Sequence, residues 1–189
     1  MPKPKDVTTV ASDAPFIAPI ARAVKDDRVT ALAAVLARLT NQGAFPPELF
    51  LPAHPSRYAR NLLYREPNGG FVVVAMTWGP GQGSPLHDHA GLWGAEVVVQ
   101  GTMLETQFEL LERNGTERYR FARGAQRTSG VGSVSVLNPP LEYHDFGNAA
   151  QSVAHTVHVY GGDMTVSQAF TEDENGWWRS RRVELHYDL

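Results

Sequence analysis

The sequence predicts a mainly β protein, a barrel or sandwich of short strands with a helical segment in front. Three observations carry this. From Tyr58 onward, runs rich in Val, Thr and aromatic residues recur at intervals of about 8–12 residues, separated by Gly and Pro turns. Before that point Ile20, Val24, Val29, Leu32, Val35, Leu36 and Leu39 recur at helical spacing instead. The 189 residues, 42% of them hydrophobic, suffice for one core, so a single domain over 1–189 is expected.

In chain order, residues 1–14 read as a polar, frayed leader. Residues 15–51 form the helical part: one broken helix or two short ones, closed by Gly43 where a C-cap glycine belongs. Phe45–Phe50 adds a turn that starts at a proline. Pro52 and Pro55 bracket a loop, and residues 52–189 make the β-barrel. Phe71–Trp78 is a strand and Gly79–Gly83 a turn; Ala95–Gln100 is a strand ended by Gly101. Thr102–Leu111 alternates well enough for another, and Asn114-Gly115 signals a hairpin. Arg118–Ala122, Val131–Leu137 and Val153–Tyr160 supply further strands. The N-terminal part is too short to fold alone.

Composition removes several function classes. A net charge of −3 offers no electrostatic footprint for nucleic acid or an anionic membrane. No run reaches the roughly 18 apolar residues of a spanning helix, and the N-terminus lacks the apolar stretch of a signal peptide. A cytoplasmic protein is expected. The chain has no cysteine, which excludes disulfides, thiolate metal sites and cysteine nucleophiles. Any metal must use histidine and carboxylate ligands.

Six of the seven histidines lie beyond Tyr58. His87-Asp88-His89 leads, because residues two apart on a strand face the same way and can aim both imidazoles at one ion. His144, after Pro139-Pro140 and before Asn148, is the best third ligand. The spacing adds specificity: Gly81, five residues, His87-x-His89, four residues to Gly94, then six to Gly101. This resembles the first cupin motif, with Gly94 standing where that motif carries a glutamate ligand. Gly132, Pro139, His144 and Asn148 resemble the second motif, with one extra residue before the proline and Leu141 in place of a glycine. The resemblance implies a cupin, jelly-roll-like β-barrel. Three neutral imidazoles leave a metal more positive than a two-His, one-carboxylate set does, which suits an anionic thiolate together with O2.

A longer resemblance follows. Tyr58-Ala59-Arg60-Asn61-Leu62-Leu63, Trp78 through His89, and His158-Val159-Tyr160 look like the cysteine dioxygenase family of thiol dioxygenases, over about Tyr58 to Gly162. The resemblance implies Fe(2+) on His87, His89 and His144, and addition of both atoms of O2 to a thiol to give a sulfinic acid. Its partners would be O2 and a small thiol amino acid or thiol carboxylate. Tyr160 matches the tyrosine whose hydroxyl faces substrate and oxygen, and His158 the histidine bonded to it. Thr156 stands where the family has serine, and its hydroxyl can make the same bond. Arg60 matches the arginine that binds the substrate carboxylate. Tyr58 and Met76 fall at pocket-lining positions.

Two departures stand out. Gly94 occupies the position of the cysteine that animal members crosslink to tyrosine. Glu96, two residues on, could share the inward face; it reads as an ion-pair partner or rim residue rather than a ligand. His155 is expected to face the other way, His54 and His186 the surface, and Trp177-Trp178 to pack. Arg179, Arg181 and Arg182 read as solvated, although one could reach the pocket. Because Arg60 is an arginine, L-cysteine is the favoured substrate over 3-mercaptopropionate, which relatives with glutamine there accept. The remaining alternative is a non-catalytic metal-binding cupin.

Overall fold

The computed structural model describes residues 13–26, 29–115, 117–140, 142–173 and 175–188. The frayed leader expected over 1–14 falls almost wholly outside these residues, as does Leu141. Helical spacing resolves into two helices, α1 (Ile17–Lys25) and α2 (Val29–Asn41). α1 buries Ile17, Ile20 and Ala23, and α2 buries Leu32, Leu36 and Leu39. Each set is one stripe at three- and four-residue spacing. Gly43 ends α2 at φ +69°, with its N–H donated to the Thr40 carbonyl. A left-handed residue there costs glycine little. The turn expected at the prolines is a 3-10 turn over Pro47–Leu49.

Among the described residues eleven strands follow: β1 (Ala59–Arg65), β2 (Val72–Trp78), β3 (Gly83–His87), β4 (Gly94–Gln100), β5 (Met103–Asn114), β6 (Arg118–Ser129), β7 (Val134–Leu137), β8 (Tyr143–Asn148), β9 (Ala154–Tyr160), β10 (Val166–Glu172) and β11 (Trp178–Glu184). One sheet runs β1-β2-β9-β4-β7, and the other β10-β11-β6-β5-β8-β3 closes through a β3–β10 pair. All pairings are antiparallel. This is a mainly β barrel with N-terminal helices, the fold class that the sequence predicts. Among the described residues, no helix is long and apolar enough to cross a membrane.

The two helices decide where the core sits. They cover the outer face of the five-stranded sheet, packing on Leu63, Val73, Ala75, Ala95, Val97, Val157 and Val159. The inner face of the same sheet contributes Leu62, Val72, Val74, Met76, Trp78, Val98 and Tyr160 to a second cluster. β2 is therefore buried at every position. This is why its sequence reads as one apolar run and not as an alternation. The strands that sequence patterning does not single out, β1, β3, β8, β10 and β11, are short or interrupted by polar residues. Residues of all five line the pocket described below, so one of their faces carries site residues in place of a uniform apolar stripe.

Candidate metal centre

A pocket opens between the two sheets. From the five-stranded sheet and the residue before it, Tyr58, Arg60, Met76, Trp78, Glu96, His158 and Tyr160 line it; from the other come His87, His144, Phe146, Ser167 and Ala169. Both expected pocket-lining residues, Tyr58 and Met76, are in place. Met164, Val183 and Leu185 complete the wall, whereas Arg179, Arg181 and Arg182 do not line it.

His87, His89 and His144 come together with one ring nitrogen each, all within 4.8 Å of one another. His87 lies at the end of β3, facing His144 of β8 across the ladder. His89 is not on the strand. Beyond His87 the Asp88 N–H donates to the Gln168 carbonyl, and Ala90 takes φ +53°, so the chain leaves the sheet. The two rings converge because a turn carries the second one inward, not because two strand residues share a face.

Each ring is held by its Nδ1. His87 donates to the Pro85 carbonyl at 2.9 Å, His89 to the Glu142 carbonyl at 2.9 Å, and His144 to Glu105 Oε1 at 3.2 Å. All three acceptors are oxygens that only accept, so in the neutral rings the proton sits on Nδ1 and the Nε2 lone pair is free. Nε2 of His89 and of His144 is buried without a hydrogen-bond partner. Three fixed imidazoles with free lone pairs toward one point are what a metal requires. Burial, and then mutual repulsion, hold His87 down to about 3 and His89 well below its ordinary value. Both rings stay neutral and ready to ligate. For His144 burial also lowers the pKa, but Glu96 and Glu105 outweigh it and the net shift is upward. The negative charge that favours a proton there favours a metal cation equally.

Glu105 and Ser135 escape sequence reasoning. The carboxylate is buried on β5, bonded to His144 through Oε1 and to the Ser135 hydroxyl through Oε2. No local signal marks it, since a glutamate on a strand ordinarily reads as solvent-facing. Glu96 is equally buried and so is no rim residue; its Oε1 lies 2.9 Å from His158 Nδ1 and accepts from it. Burial pushes its pKa up, yet His158, His144 and His89 together hold it far below the usual carboxylate range.

The T-x-H-x-Y pattern lies on β9 with all three side chains inward. Trp78 Nε1 donates to Thr156 Oγ1 at 2.8 Å. The threonine proton then goes to His158 Nε2 at 2.6 Å, which leaves the other ring proton on Nδ1, shared between the Tyr160 hydroxyl oxygen and Glu96 Oε1, each at 2.9 Å. The tyrosine oxygen accepts there and keeps its own proton free for the pocket. Burial, then the charge of Glu96, raise the Tyr160 pKa well above 10, so it remains a donor. Arg60 is 3% exposed. Its Nη2 donates to the Met164 carbonyl at 3.1 Å, while Nη1 is buried without a partner. The C-terminal segment, unread in the sequence, covers this arginine. The Tyr187 ring lies 4.9 Å from its guanidinium carbon, and Asp188 accepts its backbone N–H at 2.8 Å. His155 faces away, stacked on Phe50 at 4.2 Å, as expected.

Residues 6–173 match the family model of cysteine dioxygenase type I. The chain belongs to the cysteine dioxygenase type I family. Similar curated members are the cysteine dioxygenase type 1 of Rattus norvegicus, 27% identical over 117 residues, and that of Homo sapiens, 26% identical. Each alignment covers 61% of this chain and 56% of the relative. That of Danio rerio is 29% identical, over 61% of this chain and 57% of the relative. The chain thus spans about half the length of the curated relatives it matches. Among solved structures it is similar to a cupin 2 conserved barrel domain protein from Rhodopseudomonas palustris, with TM-score 0.47, 16% identity, and 67% and 74% of the two chains covered. It is also similar to a Klebsiella pneumoniae protein with a double-stranded β-helix domain, with TM-score 0.45, 18% identity, and 71% and 92% covered. His87, His89 and His144, the group able to hold a metal ion, all lie within the matched residues.

Proposed function

We propose that this family member is an iron(II)-dependent thiol dioxygenase that adds both atoms of O2 to the thiol of L-cysteine, giving cysteine sulfinic acid. The observation that carries this reading is the pairing of two incomplete sites in one pocket. Three imidazoles present free Nε2 lone pairs, and a buried arginine presents an unpaired Nη1 beside them. A cation site next to a carboxylate site fits a small thiol carboxylate.

His87, His89 and His144 would hold the Fe(2+); when bound, it supplies acidification of the thiol and activation of dioxygen. The protein's part is positional. Arg60, already bonded to Met164, takes the substrate carboxylate on its free Nη1 and fixes the direction in which the sulfur points. Met76, Tyr58 and Leu185 exclude water around it. Tyr160, kept neutral and oriented by His158 and Thr156, donates its hydroxyl proton toward the oxygen added to sulfur. Gly94 carries no thiol, so Tyr160 works without a crosslink. The favoured substrate is cysteine because Arg60 is the carboxylate anchor; 3-mercaptopropionate offers the same carboxylate and is the second candidate. A cytoplasmic setting keeps such thiols reduced.

The test is anaerobic loading with iron(II), then oxygen uptake with each thiol and mass analysis for the sulfinate. Arg60→Gln is expected to lower kcat/KM for cysteine by about 10- to 100-fold, the worth of a hydrogen bond to a charged group. An iron-replete protein that forms no sulfinate from either thiol sinks the reading.

A further inference from the structure

Glu96 is a buried carboxylate with one oxygen left without a partner. The residue is 3% exposed, its Oε1 meets His158 Nδ1, and its Oε2 is buried without a hydrogen-bond partner. Arg60 shares the pocket but spends its bonded nitrogen on Met164. A buried carboxylate with one free oxygen is costly unless a cation stands beside it.

The free space beside it is the metal centre. Oε1 of Glu96 lies 3.9 Å from Nε2 of His89 and 3.9 Å from Nε2 of His144. The three histidine nitrogens themselves lie within 4.8 Å of one another in the metal-free site. The carboxylate is within that reach of two imidazoles at once. Strand register explains how it arrives there. Gly94 and Glu96 share the inward face of β4, where they pair with Tyr160 and His158 of β9. A Cβ at position 94 would come within 3.1 Å of the Tyr160 ring, so a long side chain has no room there. One step further along the same face, Glu96 lines the pocket itself.

We infer that Glu96 is a fourth protein ligand of the metal held by His87, His89 and His144. This rests on the reading that those three hold a metal, and it makes the centre a three-histidine, one-carboxylate set with the carboxylate two residues beyond the position of the cupin motif. The competing role is structural, an ion pair to His158 that never touches the metal.

The experiment uses the full metal-free chain, titrated anaerobically with Co(II) and no thiol. Glu96→Gln keeps the shape and removes the charge. Expected are a loss of Co(II) affinity of at least about tenfold in chelator competition, an altered visible Co(II) spectrum, and a smaller rise of Tm on metal addition. Wild-type affinity and spectrum in a folded Glu96→Gln protein would overturn the proposal. Should that variant not fold, the crystal structure of the Co(II)-loaded wild type decides. A Glu96 oxygen at about 2.0–2.2 Å from the metal supports ligation, and a carboxylate left on His158 alone refutes it. Neither measurement involves a thiol or oxygen. A loaded protein that turns over no thiol therefore removes the proposed function and leaves the ligand assignment standing.

Discussion

At the scale of single residues, the site is built from pairs in which one partner only orients the other. His144 is the clearest case: Glu105 fixes its Nδ1 proton, and Ser135 fixes Glu105. Glu105→Ala leaves the ring free to turn and removes the carboxylate that strengthens its Nε2 as a ligand. It is expected to lower metal affinity by about 10- to 100-fold, as such partners usually do, read by chelator competition on the metal-free protein. An unchanged affinity would mean that packing alone orients the ring. Thr156 stands in the same relation to His158. Its hydroxyl both accepts from Trp78 and donates to the ring, which any serine could do, so the departure from the family residue is chemically neutral.

At the scale of elements, the C-terminal segment acts as a strap across the mouth of the pocket. Leu185 N–H donates to the Thr165 carbonyl at 2.8 Å, and Asp188 N–H to the Arg60 carbonyl at 2.7 Å. The Tyr187 hydroxyl donates to Asp163 at 2.6 Å, and Arg57 pairs with Asp188. The strap thus ties β1 to the loop before β10 and lays an aromatic face on the Arg60 guanidinium, the proposed substrate anchor. Tyr187→Ala is expected to raise KM for the thiol by roughly 2- to 30-fold with little change in kcat, the range of a cation–π contact of about 0.5–2 kcal/mol. Tyr187→Phe, which keeps the ring, is expected to restore it. Failure of phenylalanine to do so would assign the effect to the hydroxyl bond with Asp163.

At the scale of the whole molecule, buried titratable groups limit stability from both sides. His87 and His89 have folded pKa values lowered by burial, His87 to about 3. Their contribution is present above about pH 6.5, the unfolded value, and is lost as pH falls toward the folded values. Glu96, held low, acts in the same direction at lower pH. His144 is raised and opposes them, one ring against two. Tyr58, Tyr160 and Tyr187 are all raised, chiefly by burial. Their contribution is present below about pH 10 and is lost as pH rises further. The metal-free protein should therefore be most stable between about pH 6.5 and 10. Urea midpoints across pH check this, and a midpoint that climbs on acidification from pH 7 to 5 contradicts it.

What the sequence determined by itself was the fold class and the part of the site that is local in the chain. Thr156, His158 and Tyr160 alternate along one strand, so spacing alone puts their side chains on one face. His87 and His89 sit two apart in the sequence, but the second ring turns inward only where the chain leaves β3. His144 was legible from gapped glycines and prolines that mark turns, and Arg60 only from its resemblance to the family. Tertiary structure decided the rest. Glu105 meets His144 across 39 residues, and Asp188 meets Arg60 across 128. Glu96 faces His158 only because β4 pairs with β9 in one particular register. A carboxylate on a strand looks the same in the sequence whether it points to water or to an ion. Only the packing of the two sheets around one pocket takes away the water and leaves Glu96 to three histidines.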